Sequence, residues 1–562
     1  MRLFSHLWTI FICVIIWGVW AGPELMLGTV ANAAPATQAI APPPSVERLT
    51  IAVESWGSDE INPVQMKTAN FLISNHLPML VTRDEHYNVV PALATKWEGS
   101  PQGWTFMLDP TAKWEDGVPI TAEDVKFSFE AAMGMHGFQG SVVGGRIKRS
   151  VEAVEVHDAH TVFVRTKTPD AGFFTFYSGA GYVIFWIVPK HYLTKVGHDG
   201  YVKKPLGGGP YTVKQWVPGH RIVYERNEDF WGTYPWYRKS QVKVMEVIRV
   251  PDGAARFAML KSGQADVIVP VDLAIAKDLP RQRGKGVWVK PLFGTAQALI
   301  SFNSVLAKQE GKCPSEPYWS CWPKDNPDVE VGPFADIRVR EALELAIDKK
   351  TISARIHGGL TTPTGSVYSL DSFGWRKEVA NQLVYDPEQA RQLLKEAGYP
   401  NGFSTKLYFA KARPGIPEYL EAVVSMWDKI GVKTQLIEVE TGTYWDRIRA
   451  PTRAYQPLVL WTWGRQDDAS IIADYSFHRA GTYVGAFNER TNELYAQLMR
   501  EWDDAKRAKL IADIEDEVLA NRWYIPLYNF SIVYGYTDRV LEHPHRPVTS
   551  HIFDFWRVML KD

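Results

Sequence analysis

Apolar and polar residues alternate every second position in some stretches of the chain and every third or fourth in others, and the change of period predicts its elements. Residues 49–55 (LTIAVES) read as a strand, followed by Trp56 and Gly57. A helix is expected around 68–80. Residues 104–108 (WTFML) predict a strand in a hairpin with Trp114, turning at Asp116-Gly117, a pair that tolerates positive φ. Thr121 then stands as an N-cap with Asp124 three places on, a variant of the capping box, opening a helix that carries Val125, Phe127, Phe129 and Ala132. These elements make a compact α+β unit.

Beyond Gly207-Gly208-Gly209-Pro210-Tyr211 strands and short helices alternate: 244–250 strand, 254–260 helix, 266–269 strand. Asp336 caps a helix with Val339, Leu343, Ala346 and Ile347 on its apolar side. Asp386 caps another, with Pro387 at its first position and Gly398 past its last turn. From 407 to 460 the order is strand, helix 419–430 stopped by Gly431, strand 432–439, a helix near Trp445, and strand 458–461. Such alternation predicts an α/β protein with a mostly parallel sheet covered on both faces.

Composition narrows the class. With 562 residues the chain has material for about three or four structural units. The 62 Lys+Arg against 63 Asp+Glu leave no basic excess to meet phosphates, so a nucleic-acid partner is not expected. The N-terminus changes the picture again. Arg2, the apolar run 7–21 and the small residues Ala31-Asn32-Ala33 read as a secretory signal, residues 1–33, with an uncleaved anchor as the alternative. A Pro/Ala-rich linker, 34–47, follows. Of the three cysteines, Cys13 lies in the signal; Cys313 and Cys321 could close a short disulfide loop in an oxidising compartment, or remain free thiols.

Enzyme signatures are missing: the chain has no HExxH, G-x-S-x-G, P-loop or dinucleotide fingerprint, and no catalytic residue, cofactor or metal is expected. The most suggestive stretch is Trp461-Thr462-Trp463-Gly464-Arg465-Gln466-Asp467-Asp468, directly after a predicted strand, where ligands of open α/β sheets collect. Its indoles offer stacking faces. Its carboxylates suit an ammonium, and its guanidinium suits a carboxylate. The competing reading is a capping loop, with Trp461 in the core and Asp467 or Asp468 capping the next helix.

Several segments together resemble one family, the large extracellular solute-binding proteins of family 5, which serve ABC importers and include periplasmic dipeptide- and oligopeptide-binding proteins. The matching stretches are Pro91-Ala92-Leu93-Ala94, Trp104-Thr105-Phe106, Trp114-Glu115-Asp116-Gly117, Gly207 to Tyr211, Gly263-Gln264-Ala265-Asp266, Phe302-Asn303, Arg338 to Leu343, Ala346 to Lys349, Tyr385 to Glu388, Glu396 to Tyr399 and Ile525-Pro526-Leu527. They occur in family order across nearly the whole mature chain. In the peptide binders, the loop resembling 463–468 carries an Asp that meets the ligand's amino terminus; here Gln466 falls near that register, with Asp467 beside it.

The resemblance implies a two-lobed periplasmic-binding-protein fold with a large extra subdomain and a hinged cleft. Lobe I would comprise 48–83, 205–290 and 529–562, the inserted subdomain 84–204, and lobe II 291–528, with hinges near 291–298 and 527–530. It implies a monomer that takes a small-molecule or peptide ligand to ABC permease subunits in the inner membrane. Trp56, Tyr444, Trp445, Trp461, Trp463, Arg465, Gln466, Asp467 and Asp468 are the candidate ligand-binding residues, and Arg449 and Arg453 fall where some members bind a carboxylate. A secreted glycoside hydrolase, suggested by abundant Trp and carboxylates, is the alternative.

Overall fold

The structure, a computed structural model, describes residues 46–57, 59, 61–62, 64, 72–84, 88–141, 144–173, 185–302, 333–410, 415–440, 444, 458–479, 481, 486–543 and 554–561. The expected leader, Cys313, Cys321, Trp445, Arg449 and Arg453 lie outside the described residues.

One sheet of eleven strands runs through the molecule. From one edge its order is Val432–Glu438, Phe403–Phe409, Leu458–Gly464, Val287–Ser301, Tyr524–Thr537, Val267–Val269, Val46–Val53, Val242–Arg249, Arg221–Arg226 and Tyr211–Val217, with Thr362–Pro363 pairing onto Tyr524–Thr537. The sheet is mixed, which corrects the mostly parallel expectation. Parallel pairing is confined to its two halves, where Val46–Val53 meets Val242–Arg249 and Val267–Val269, and Phe403–Phe409 meets Val432–Glu438 and Leu458–Gly464. Between them lie the two long strands, antiparallel to each other from Val287–Thr537 through Ser301–Tyr524. Local alternation reports each half's own connections; it carries no signal for strands that pair across more than two hundred residues.

The halves have separate cores. One gathers Leu49, Ile51, Phe106, Phe129, Tyr224 and Val247; the other gathers Leu299, Val339, Leu343, Leu407, Trp427 and Leu460. The first also takes in a separate four-stranded sheet, Ala94–Ser100, Gly103–Leu108, Thr161–Thr166 and Val151–Asp158. The strand Gly103–Leu108 thus pairs with Ala94–Ser100 and Thr161–Thr166 rather than with Trp114. Trp114 instead closes its own tight turn: its N–H donates to Val118 and its carbonyl accepts from Gly117.

Local signals are obeyed where side chain and backbone meet directly. The Asp124 carboxylate accepts from the Thr121 N–H at 2.9 Å and opens the helix Ala122–Ala132. Asp336 and Asp386 cap Ile337–Leu345 and Pro387–Glu396. Gly431, at φ 89°, ends the turn after Ile416–Asp428. The helix expected over 68–80 is only the short turn Ile73–Asn75 among the described residues. Pro78 removes a donor there, and the His76 carbonyl is taken by the N–H groups of Gly208 and Gly209.

The long pair is irregular where it leaves one half for the other. Its register shifts between Phe293 and Ala296, and again between Ala298 and Leu299. Gly294 sits in the first shift at φ 72°, where a Cβ would come 3.1 Å from both Leu370 and the Arg465 guanidinium. Glycine is therefore required by conformation and by space.

Candidate ligand-binding site

The strand Leu458–Gly464 is buried along nearly its whole length and delivers the suggestive loop to the boundary between the halves. Side chains two apart on a strand share a face, so Trp461 and Trp463 stack on each other, 5.1 Å between centroids and 13° apart. Trp463 stacks in turn near Tyr475, at 6.3 Å, and Tyr475 packs against both cores. Tyr444 is buried in the second core, its hydroxyl donating to the Leu460 carbonyl.

The charged residues of the loop are engaged within the protein. Arg465 is 2% exposed; its Nη1 and Nη2 donate to the carbonyls of Leu370 and Asp371 at 2.6 and 3.3 Å, and its Nε to Asp467 at 3.2 Å. The Gln466 amide donates to the Gly464 carbonyl at 3.0 Å. Asp468 accepts from Arg507 and from the Ser470 N–H, both at 2.8 Å, and so meets the first N–H of the helix Ser470–Ser476, whose N-cap position is Ala469. Burial opposes its ionisation, but Arg507 and Ser470 outweigh it and hold the carboxyl below its ordinary range. Unlike the loop imagined in the capping reading, this one is buried.

The first half supplies the partners that sequence reasoning did not find. Arg83, ending the strand Val81–Arg83, brings its Nε to 4.0 Å from Asp467 Oδ2. Burial lowers its pKa, while Asp467 and Asp468 work in the other direction. Arg146, on the helix Gly144–Ser150, lies 3.3 Å from Asp170 and 3.3 Å from Asp474 of the second half. Burial opposes the ionisation of Asp474, yet Arg146, His478 and the Tyr495 hydroxyl together hold its carboxyl well below the usual range. Asp170 shares Arg146 with it, and burial pushes its carboxyl up. Trp502 lies against Trp104 at 5.4 Å, adding an uncharged contact across the same boundary. Nothing local marks these residues in the sequence, beyond Arg83 closing the apolar run 77–82.

Other candidates are placed elsewhere. The Trp56 indole donates to Asp59 at 2.8 Å and tilts against Trp216, 5.5 Å away, in the first core. A hollow of about 330 Å³ is lined by Ala496, Gln497, Arg500, Glu501 and Leu510, none of them in the loop. Among the described residues, no group of three or more His, Cys, Asp or Glu could hold a metal ion.

The sheet crossed by two long strands, with a charged loop at the junction, defines a two-lobed binding protein of the periplasmic type. The family of bacterial extracellular solute-binding proteins, family 5 (middle region), matches residues 88–483, and the chain belongs to that family. It is 26% identical over 463 residues to the dipeptide-binding protein of Escherichia coli, covering 76% of this chain and 79% of the relative. It is 28% identical over 390 residues to heme-binding protein A of Haemophilus influenzae, 64% of each chain. Among solved structures, the ABC transporter-associated periplasmic binding protein DppA of Helicobacter pylori, in complex with peptide STSA, has a TM-score of 0.71 at 20% identity. That match covers 92% of this chain and 98% of that one. NikZ of Campylobacter jejuni, in complex with Ni(L-His), has a TM-score of 0.70 at 19% identity, covering 91% and 99%. These likenesses show an α/β, two-lobed fold in a family of periplasmic or extracellular solute-binding components of ABC importers.

Proposed function

We propose that this chain is the receptor of an ABC importer, taking a short peptide or similar polar solute between its lobes and passing it unaltered to permease subunits in the inner membrane. It acts as a periplasmic monomer, with residues 291–528 closing on the rest. The observation that carries this reading is the meeting of the loop 463–468 with Arg83, across a sheet whose two long strands lose register as they change lobes. A solute held there stabilises the closed form by the difference in its affinity for closed and open, and the permease reads the closed form. The dipeptide-binding relative and the peptide-bound neighbour support a peptide; the heme-binding relative and the neighbour holding Ni(L-His) widen the class beyond peptides.

The hydrolase alternative draws no support from the loop, where Asp468 is bonded to Arg507 and Asp467 to Arg465. The test is small-angle scattering with thermal melts across peptides, sugars and chelates. A smaller radius of gyration and a raised midpoint with one class, and that solute recovered intact, is the expected result. Steady consumption of a solute with neither change would reject the proposal.

A further inference from the structure

We infer that the four-stranded sheet and the segments packed on it form a latch: they grip the second half directly, so they strengthen the hold on every solute by one factor and leave selectivity to the cleft. This rests on the function proposed above and goes beyond it by assigning the part of the fold that stabilises the closed form.

Three stretches of that unit converge on one region of the second half. The hairpin Ala94–Ser100 and Gly103–Leu108 sets Trp104 5.4 Å from Trp502, and its Gly99 lies so close that a Cβ would come 2.9 Å from the same indole. The helix Gly144–Ser150 sends Arg146 to Asp474 at 3.3 Å. Beyond the strand Thr161–Thr166, Gly172 passes where a Cβ would stand 3.9 Å from the Arg507 guanidinium. The second half answers with an apolar side chain. Ile471, on the helix Ser470–Ser476, is 2% exposed and lies in the core of the first half, while its neighbours Ile472 and Ala473 lie in the core of the second.

Closing this seam removes Ile471 and the facing indoles from water, a gain that needs no solute. Arg146 and Asp474 each lose hydration there and recover it only by meeting. A solute that binds the closed form alone has its apparent Kd set by the closed fraction, so a change in the seam multiplies every Kd by the same number. A change in the loop 461–468 would instead alter one class of solute against another. Trp104, Trp502, Arg146, Asp474 and Ile471 all lie outside that loop.

The test compares wild type with Ile471→Ala, first without any solute, by small-angle scattering, and then by calorimetry with Met-Leu, Gly-Tyr and Ni(L-His). The variant is expected to have the larger ligand-free radius of gyration. Each probe that binds should bind the variant about fivefold more weakly or worse, with the factors agreeing within about twofold. An unchanged ligand-free radius in a variant that still melts cooperatively overturns the inference, and so does a shift of about tenfold in the affinity ratio of two probes. If fewer than two probes bind, the radius decides. Should Ile471→Ala lose its cooperative melt, Asp474→Asn takes its place with the same expectations. Failure of the receptor reading would look different: no solute would change either protein, while the ligand-free radii still differed.

Discussion

Glu515 and Asp474 are both buried carboxylates of the second half, yet their pKa values move in opposite directions. Glu515 accepts from the Ser366 hydroxyl and the Val367 N–H and pairs with the partly exposed Arg376, all in its own lobe. Burial raises its pKa against those bonds. Asp474 looks across the boundary to Arg146 and is held ionised. Desolvation acts on both and each meets a guanidinium, but the Arg376 that faces Glu515 is the more exposed, whereas the Arg146 that faces Asp474 is more deeply buried and is joined by His478 and the Tyr495 hydroxyl. The first arrangement holds a lobe together. The second joins the two halves, so under the proposed closing of the lobes its energy belongs to closure.

The sharpest way to break this comparison is Arg146→Ala. It leaves Asp170 and Asp474 facing each other without their shared cation, and losing one partner of a buried pair costs about 4 kcal/mol. Because opening returns both carboxylates to water, the loss should appear as a larger radius of gyration, with the urea midpoint little changed. Adding Asp170→Asn should restore closure in part. A lowered midpoint at constant radius would place Arg146 with Glu515 instead. Glu515→Ala is the converse: it orphans the Val367 N–H and the Ser366 hydroxyl, with an expected loss of about 3 kcal/mol in unfolding free energy and an unchanged radius.

A second carboxylate inside one body extends the contrast through pH. Burial pushes Glu115 from 4.5 to about 7, against the bond it accepts from the Gly207 N–H. The folded protein therefore holds a proton that the unfolded chain gives up near 4.5. Its contribution is fully present below that pH and lost as pH rises through about 7. Allowing for its partial exposure, this should amount to about 2 kcal/mol. Glu115→Gln should flatten the fall in urea stability between pH 4.5 and 7.5, and an equal fall in the variant would remove Glu115 from the argument. Asp474 runs the other way: its pKa is depressed, so its contribution is present above the ordinary carboxylate range and fades only as pH drops through its low folded value.

How much of this the sequence showed depends on the distance between partners. Thr121 with Asp124, Asp386 with Pro387, and Gly431 are read three or four residues at a time, and the structure follows them. The bond from the Ser470 N–H to Asp468 is equally local. Trp56 is among the candidate ligand-binding residues, and its indole donates to Asp59, three residues on. The loop 461–468 could be picked out for its composition, but not the arginines that face it. Arg83 and Arg146 come from elements of the other lobe, and no periodicity or spacing couples them to Asp467 or Asp474. The antiparallel long strands escaped for the same reason.

The smallest expected effect separates contact from charge at the boundary itself. Trp502 tilts against Trp104 at 32°, and the Trp104 indole donates to the Asp170 carbonyl at 3.1 Å, so an aromatic pair and the ion pair of Arg146 share one seam. An aromatic pair contributes about 1 kcal/mol beyond its buried area. Trp502→Leu keeps most of the apolar surface, so closure should weaken by about that amount. If Trp502→Leu opens the molecule as far as Arg146→Ala does, closure is held by packing, and the ionised state of Asp474 is its consequence rather than its cause.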